Sequence, residues 1–428
     1  MKTKSTLKVI DLFAGCGGLS LGLEDAGFLP VFVNELNSDA RGTYIANRAE
    51  VNPLLADSGF HSADVKQMVL DSSYVPRLEE RLRSEFSVEH GELDLLAGGP
   101  PCQGFSGIGH RRSYSVQKEQ LPSNHLFQDM AVLVHRLRPR AFLFENVRGL
   151  LNAKWTDAGV KGEIWREVFS TFSKIPGYKV RASLVFAKHY GVPQNRPRVI
   201  LIGLRDDVVG HSLINEGASS TDALATGFLP GRDKVAPPDL YDLLGDLIDE
   251  DFENGGSTLR YPRAARTKIQ RELRTARGAA SAVAKGGALT EHKYSKHRPL
   301  IVAKFKAMLE SKDGSIPEAF RTKKFAQRVL PERWDSQGPT ITATSLPDDY
   351  VHFSQPRILT VREWARLQMF PDWYQFVGNK TTGGIRRAGN PREGIFEREV
   401  PKYTQIGNAV PVGLSRAVGN HLAKILGR

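Results

Sequence analysis

Leu7–Phe28 reads LKVIDLFAGCGGLSLGLEDAGF, and its period changes in the middle. Val9, Ile10, Leu12 and Phe13 form a short apolar run of the kind that fills a buried parallel strand. Glycines interrupt it. Leu19, Leu21, Leu23 and Ala26 then follow at helical spacing, and Gly27 is placed to end the helix. Strand, glycine turn and helix in that order open an α/β fold.

Further strands lie on either side of helical stretches. PVFVNE (30–35) ends in an acid, and LDLLAGGPP (93–101) and RAFLFENVRGL (140–150) follow. YKVRASLVFAKHYGVPQNRPRVILIGL (178–204) supplies two more strands with a loop between them, and Asn124 to Leu137 is helical. The alternation predicts a parallel α/β sheet. It fades near Leu204. An acidic stretch, DLYDLLGDLIDEDFENGG (239–256), then precedes a basic one. The chain returns to RILTVREWARLQMFPDW (357–373) and YTQIGNAVPVGLSRAVGNHLAKIL (403–426). The expected organisation is an α/β domain, 1–204 plus 402–428, interrupted by a smaller domain, 205–401.

An apolar fraction of 40% and a charged fraction of 25% fit a globular protein large enough for two domains. No signal segment and no membrane-length apolar run are expected. Two cysteines make no disulfide framework, and no Cys/His spacing suggests zinc, so no metal is expected. A cytoplasmic protein with reduced thiols follows. The net charge of +12 is concentrated: Arg260 to Arg328 holds 18 Lys or Arg against 5 Asp or Glu. That excess, interleaved with Tyr261, Tyr294, Phe305 and Phe325, suggests a polyanionic partner; a solvated helical surface is the alternative.

Residues able to carry chemistry gather at strand ends. The turn Asp11 to Gly18 lets backbone approach a ligand at a helix N-terminus, or is a simple tight turn. Glu35, ending the second strand, suits both hydroxyls of a ribose. Asp64 suits an adenine amino group or caps a helix. Cys102 follows Pro100-Pro101 and precedes Gly104, Gly107, Gly109, His110, Arg111 and Arg112. Positive charge lowers a thiol pKa from about 8.5, so the segment offers a nucleophile with a cationic, hinged lid; a small buried side chain is the alternative. Glu145 ends another strand on the same edge, where it could meet Cys102; a cap of the following helix by Glu145 or Asn146 is the alternative. In QNRPR (194–198), Pro197 enforces an extended backbone, which sets Arg196 and Arg198 on one face toward a phosphate or carbonyl, or into scaffold ion pairs.

Together these residues resemble the cytosine-5 DNA methyltransferase family, of the prokaryotic modification-methylase type. DLFAGCGGLSLGLEDAGF, GGPPCQGFS, ENVRG, QNRPRVILIG, RILTVREWARLQMFPD and QIGNAVP match its ordered motifs from Asp11 to Val412. The middle region matches loosely, as that family's variable target-recognition domain does.

The resemblance implies a Rossmann-like sheet that binds S-adenosyl-L-methionine, with a smaller inserted target-recognition domain. It sets Phe13 against the adenine and Gly15, Cys16, Gly17 and Gly18 beside the methionine. Glu35 meets the ribose and Asp64 the adenine, while Pro100 and Asn408 line the pocket. Cys102 adds to C6 of a cytosine flipped from duplex DNA, Glu145 acts at N3, Arg198 holds the base carbonyl and Arg196 assists. A monomer is implied, with a cognate restriction endonuclease acting separately. Cys16 itself reads as structural, and Thr360 with Glu363 as a helix capping box. The stretch 377–401 is longer than the family's usual connection and reads as a surface loop. Two other functions remain open here: an RNA methyltransferase on the same scaffold, and a catalytically silent DNA-binding protein. The family's transfer-RNA branch carries a Cys-Phe-Thr signature that is absent here, and intact Cys102, Glu145 and Arg198 argue against silence.

Overall fold

The computed structural model describes residues 6–101, 122–209, 221–232, 236–311, 313–321, 327–335, 338–341, 349–381 and 399–427. They fall into two compact units. One comprises Met1–Phe186, Pro197–Asp233 and Leu414–Arg428; the other comprises Ala187–Arg196 and Lys234–Gly413.

The first unit is built on a seven-stranded sheet. Its strands are β1 (Leu7–Leu12), β2 (Phe28–Asn34), β3 (His61–Ser62), β4 (Leu95–Gly98), β5 (Ala141–Val147), β6 (Tyr178–Phe186) and β7 (Pro197–Arg205). Their order across the sheet is β3-β2-β1-β4-β5-β7-β6. From β1 the chain moves outward to β2 and β3, then returns to place β4 on the other side of β1. This reversal is the switch point beside which open α/β sheets form a crevice at their carboxyl ends. The glycine turn leaves β1 there, and Gly98–Pro101 leaves β4, with Leu12 paired to Gly98.

The expected all-parallel sheet is corrected at one place. β1 to β5 are parallel, but β7 runs antiparallel to both β5 and β6. A parallel return needs a crossover of a dozen or more residues. Only Ala187–Arg196 separates β6 from β7, and it holds a single 3₁₀ turn, Ala187–Tyr190. The strand therefore reverses.

Helices cover the sheet because their apolar residues recur on one face. In α1 (Gly18–Asp25) Leu19 and Leu23 are buried, and Gly27, at φ 94°, receives the chain after the helix. In the helix Glu163–Ser173, Ile164, Val168 and Phe172 are buried at four-residue spacing. The helix expected from Asn124 begins at Leu126, after a 3₁₀ turn over Pro122–His125. Phe172 and Tyr178 flank Phe142 in the core, with ring centroids 5.4 and 5.3 Å away. Gly203 on β7 faces that Phe142 ring so closely that a Cβ would overlap it.

The second unit is poorer in regular structure and richer in buried charge. Arg366 Nη1 lies 2.5 Å from Asp246 Oδ1, and its Nη2 lies 2.6 Å from Asp372 Oδ2. Arg274 lies 3.1 Å from Asp246 and stacks 3.6 Å from the Tyr261 ring centre. Arg357 binds Glu363 at 2.6 Å. Thr360 and Glu363 do form a capping box on the helix Val361–Leu367.

The units divide elsewhere than at the expected boundaries. Residues 187–196 go with the second unit and 205–233 with the first. Residues 221–223 lie along the sheet edge, where Ala182 on β6 donates to Thr221 O and Ala223 donates back to Ala182 O. Residues 402–413 go with the second unit because the helix Lys402–Asn408 is held there: Tyr403 donates to Leu359 O and Gln368 to Ile406 O.

Candidate active site

The turn after β1 is held open by backbone geometry. Phe13 adopts φ 56°, rare for a bulky residue, and Gly15 and Gly17 are left-handed at φ 56° and 87°. Space around Gly15 is empty: a Cβ there would meet nothing within 4 Å. Glu35, one residue past β2, ties the turn down. Its Oε2 accepts from Gly15 N and its Oε1 from Asn37 N, both at 2.8 Å. Each oxygen keeps a second lone pair for a ligand hydroxyl. Burial raises the Glu35 carboxyl above its ordinary range, against the pull of those two N–H donors.

Behind the turn lies a buried polar chain that sequence patterns did not single out. Ser20 donates to Asp11 Oδ2 at 2.6 Å and meets Tyr44 Oη at 2.7 Å. Arg48 stacks on Tyr44, pairs with Glu24 and donates to Gly17 O at 3.2 Å, so it fixes the peptide that shapes the turn. Asp11 is wholly buried, its Oδ1 has no hydrogen-bond partner, and desolvation raises its pKa to about 7. The available sequence signal was an acid inside the apolar run Val9–Phe13. Cys16 is buried too, and desolvation pushes its thiol to about 12, which makes it inert as a nucleophile. Leu36, which directly follows Glu35, is a large apolar side chain left 73% exposed.

Asp64 caps the helix Val65–Leu70, with Oδ1 accepting from Lys66 N at 2.9 Å. The capping alternative is thus the interaction present. Pro100 is buried after β4, and its carbonyl accepts from Asn146 Nδ2 at 3.1 Å. That bond clamps the segment leading to Cys102 onto the end of β5. Cys102 and the loop to residue 121 lie outside the described residues.

Glu145 and Arg198 meet at that same edge. Val147 pairs with Arg198 across the β5–β7 ladder, and Arg198 Nε lies 2.5 Å from Glu145 Oε1. Both side chains are almost fully buried. Glu145 Oε2 borders Gly99: a Cβ on that glycine would come within 3.0 Å of it. The reversed β7 is what brings its first residues to the carboxyl end of β5.

Arg196 does not share this role. It belongs to the second unit, where its Nη2 donates to Gly407 O at 2.7 Å and Ala409 O at 3.1 Å. The two arginines expected on one face therefore serve different partners. The carbonyls that Arg196 holds flank Asn408, whose own side chain is exposed at the end of its helix.

The basic segment resolves into two parts. Arg274 is consumed in the buried network, while Arg260, Arg266, Arg271, Arg277, Lys285 and Lys293 are exposed. The interleaved aromatics are not a stacking surface: Tyr261, Tyr294 and Phe305 are buried, and Phe325 lies outside the described residues. Most of the 377–401 stretch is also outside them; Lys402 N donates to Asn379 O where it rejoins. No helix among the described residues is long and apolar enough to cross a membrane.

Comparison with known proteins places this architecture. The model of the C-5 cytosine-specific DNA methylase family matches residues 7–424. The chain is 30% identical to the Type II methyltransferase M.DdeI of Desulfomicrobium norvegicum, over 97% of this chain and 88% of that one. It is 31% identical to M.Eco47II of Escherichia coli, over 98% of this chain and 79% of that one. Among solved structures, a protein described as a DNA modification methyltransferase encoded within an E. coli prophage superposes with a TM-score of 0.66. It has 23% identity, and the match covers 99% of this chain and 100% of that one. The Dnmt2 methyltransferase of S. pombe gives a TM-score of 0.53 at 14% identity, a likeness of fold alone.

Proposed function

The chain belongs to the C-5 cytosine-specific DNA methylase family, and we propose that Cys102, Glu145 and Arg198 are the groups with which it methylates cytosine in DNA. The observation that carries this reading is the buried Glu145–Arg198 pair, on the edge where Asn146 clamps Pro100 two residues before Cys102.

The methyl donor of the family is S-adenosyl-L-methionine, and the first turn suits it. The space at Gly15 leaves room for the methionine portion, and the paired lone pairs of Glu35 suit a cis-diol. Phe13 offers a ring to the adenine, and Leu36 a second apolar cover. Asp64 retains Oδ2 for the adenine amino group while Oδ1 caps its helix. Asn408, exposed at the end of its helix between the carbonyls that Arg196 braces, is the further residue that the family resemblance assigns to the donor. When bound, the donor supplies a methyl group to C5 of the base.

The protein's residues prepare that carbon. The Cys102 thiolate forms a bond to C6, and the electrons of the C5–C6 double bond move toward C5. Glu145 shares a proton with N3, so the ring accepts this density as an enamine. Arg198 steadies the base carbonyl and, in the free enzyme, holds the Glu145 carboxyl in place. After transfer, C5 gives its proton to water, the C6–S bond breaks and N3 returns its proton to Glu145, which restores the thiolate and an aromatic ring. The cytosine reaches these groups only when flipped from the duplex. The second unit then serves as the target-recognition part, with its exposed cations facing phosphates. The Type II names of the relatives support a restriction–modification setting, in which a separate endonuclease cuts the unmethylated site.

Bisulfite sequencing of DNA from methylation-deficient cells expressing the protein, alongside Cys102→Ser, tests the reading. Methylcytosine confined to one short sequence and absent with the variant is the expected result. Equal methylation by Cys102→Ser would remove Cys102 from the chemistry.

A further inference from the structure

The chemistry above leaves one buried acid unused. Asp11 lies on β1, just before the glycine turn, and its carboxyl is wholly buried. Oδ2 accepts from Ser20 Oγ at 2.6 Å, and Ser20 Oγ lies 2.7 Å from Tyr44 Oη. With the Ser20 proton directed at Asp11, Tyr44 is the donor of the second bond. Oδ1 accepts nothing. A proton can therefore enter or leave Oδ1 without any of these bonds being remade. Arg48 ties the chain to the turn: it donates to Tyr44 O at 2.9 Å and to Gly17 O at 3.2 Å.

The surroundings of Asp11 hold few charges. Across the sheet its partners are Val33 on β2 and Ala97 on β4, both apolar. The charged groups that act on it are Arg48, Glu35 and Glu24, and Glu24 is paired with Arg48 at 2.6 Å. Tyr44 stays protonated, because burial raises it well above its ordinary value. Desolvation lifts the Asp11 carboxyl to about 7, against the pull of Ser20 and Arg48. A positive charge arriving at the turn favours the ionised form. Donor and spent product differ in this respect: the sulfur of the donor is a sulfonium, and that of the product is a neutral thioether. Ribose, adenine and the amino-acid end are common to both, so Glu35, which suits the ribose, treats the two ligands alike.

We propose that Asp11 is a specificity-determining residue through which the turn favours the charged donor over the neutral product, ionised while the sulfonium is present and protonated from solvent once the sulfur is neutral. The proposal rests on the reading of the turn as the donor site. The same proton returns to solvent when fresh donor replaces product.

The test measures dissociation constants for S-adenosyl-L-methionine and S-adenosyl-L-homocysteine by calorimetry across neutral pH. The proteins are wild type, Asp11→Asn, Ser20→Ala and Glu35→Gln. The ratio of product to donor constants cancels every group that treats the ligands alike. In wild type this ratio should rise about 10-fold with pH, the effect of a tenfold difference in Asp11 proton affinity between the two complexes. Asp11→Asn should give a flat ratio. Glu35→Gln should keep the rise although both ligands bind more weakly. Ser20→Ala should move the rise to higher pH, because it removes a bond that favours the charged form. In wild type, donor binding should also release more protons than product binding, read from heats in buffers of different ionisation enthalpy; this result stands whether or not the variants fold. A flat ratio with equal proton release in wild type would overturn the proposal and leave the donor site intact. An undiminished rise in Asp11→Asn would assign the effect to another group and overturn it equally. Binding of neither ligand would overturn the reading of the turn as the donor site, and the proposal with it.

Discussion

Arg198 and Glu145 lie 2.5 Å apart, and they reach that distance from strands that run in opposite directions. Strand reversal is the structural reason. In a fully parallel sheet, the first residues of β7 would sit at the opposite edge from the end of β5. The ten residues between β6 and β7 are too few for a crossover, and that shortness delivers the arginine to the carboxyl edge.

Glu145→Gln should lower the single-turnover methylation rate roughly 10²- to 10⁴-fold, the usual contribution of a positioned proton-transfer group. Affinity for S-adenosyl-L-methionine should stay near that of wild type, because the glycine turn is tied down by Glu35 while Glu145 pairs with Arg198. Rapid-quench transfer with radiolabelled donor measures the first and calorimetry the second. A rate within a factor of two of wild type would take Glu145 out of the reaction.

Glu35→Ala should weaken donor binding by roughly 10- to 150-fold, the worth of a hydrogen bond to a charged acceptor. The wild type should also lose affinity on acidification sooner than an ordinary glutamate predicts. Its carboxyl is raised by burial, so it takes up a proton at a higher pH and loses acceptor capacity there. Glu35→Gln should lack that pH dependence. Calorimetric titrations between pH 5 and 8 distinguish the three proteins.

Asp11 gives a pH dependence of stability with the opposite sign to that of a paired carboxylate. Its folded pKa of about 7 exceeds the unfolded value of 3.8. Between those values the folded state holds a proton that the unfolded chain has released, so stability falls as pH rises through the window. Asp11→Asn removes this slope. The melting temperature of the variant minus that of wild type should therefore increase from pH 4 to pH 8, measured by calorimetry. A constant difference would show that Asp11 is ionised throughout.

His292 and His352 act on the second unit in acid. Burial lowers their pKa values to about 4 and about 3, from 6.5. Above 6.5 both states are neutral and the contribution is intact. As pH falls below 6.5 the unfolded chain takes up protons that the folded chain refuses, and stability is lost down to the folded values. His352→Gln should flatten part of this loss in acid melting curves between pH 3 and 7.

The legible parts of the molecule are those where a local pattern dictates structure. The strand, glycine turn and helix at Leu7–Phe28 could be read because apolar spacing changes there from one period to another. Glu35 and Glu145 were legible as acids ending apolar runs, and Thr360–Glu363 as a capping box. The direction of β7 was not, because an apolar run is the same in either orientation; only the length of the connection carries the information. The fate of Arg196 was not legible either, since its partners are backbone carbonyls at Gly407 and Ala409, which have no sequence signature. Tyr261 and Tyr294 misled for a related reason. Aromatics among cations look alike whether they stack on bases or line a core, and here Asp372 and Thr258 bind their hydroxyls inside the protein.

The last helix has a consequence for synthesis. Arg416 pairs with Asp25 across 391 residues of chain, Arg140 donates to Leu426 O, and a Cβ placed on Gly419 would come within 2.9 Å of the Ala26 Cβ. The helix Gly18–Asp25 thus completes its packing only against residues made 391 positions later. At about 5–20 residues per second, the wait lasts roughly 20 to 80 s. Throughout that interval Leu23 and Ala26 lack their final cover. Until then the apolar face of the helix Gly18–Asp25 stays partly open, and the turn it supports lacks its finished backing.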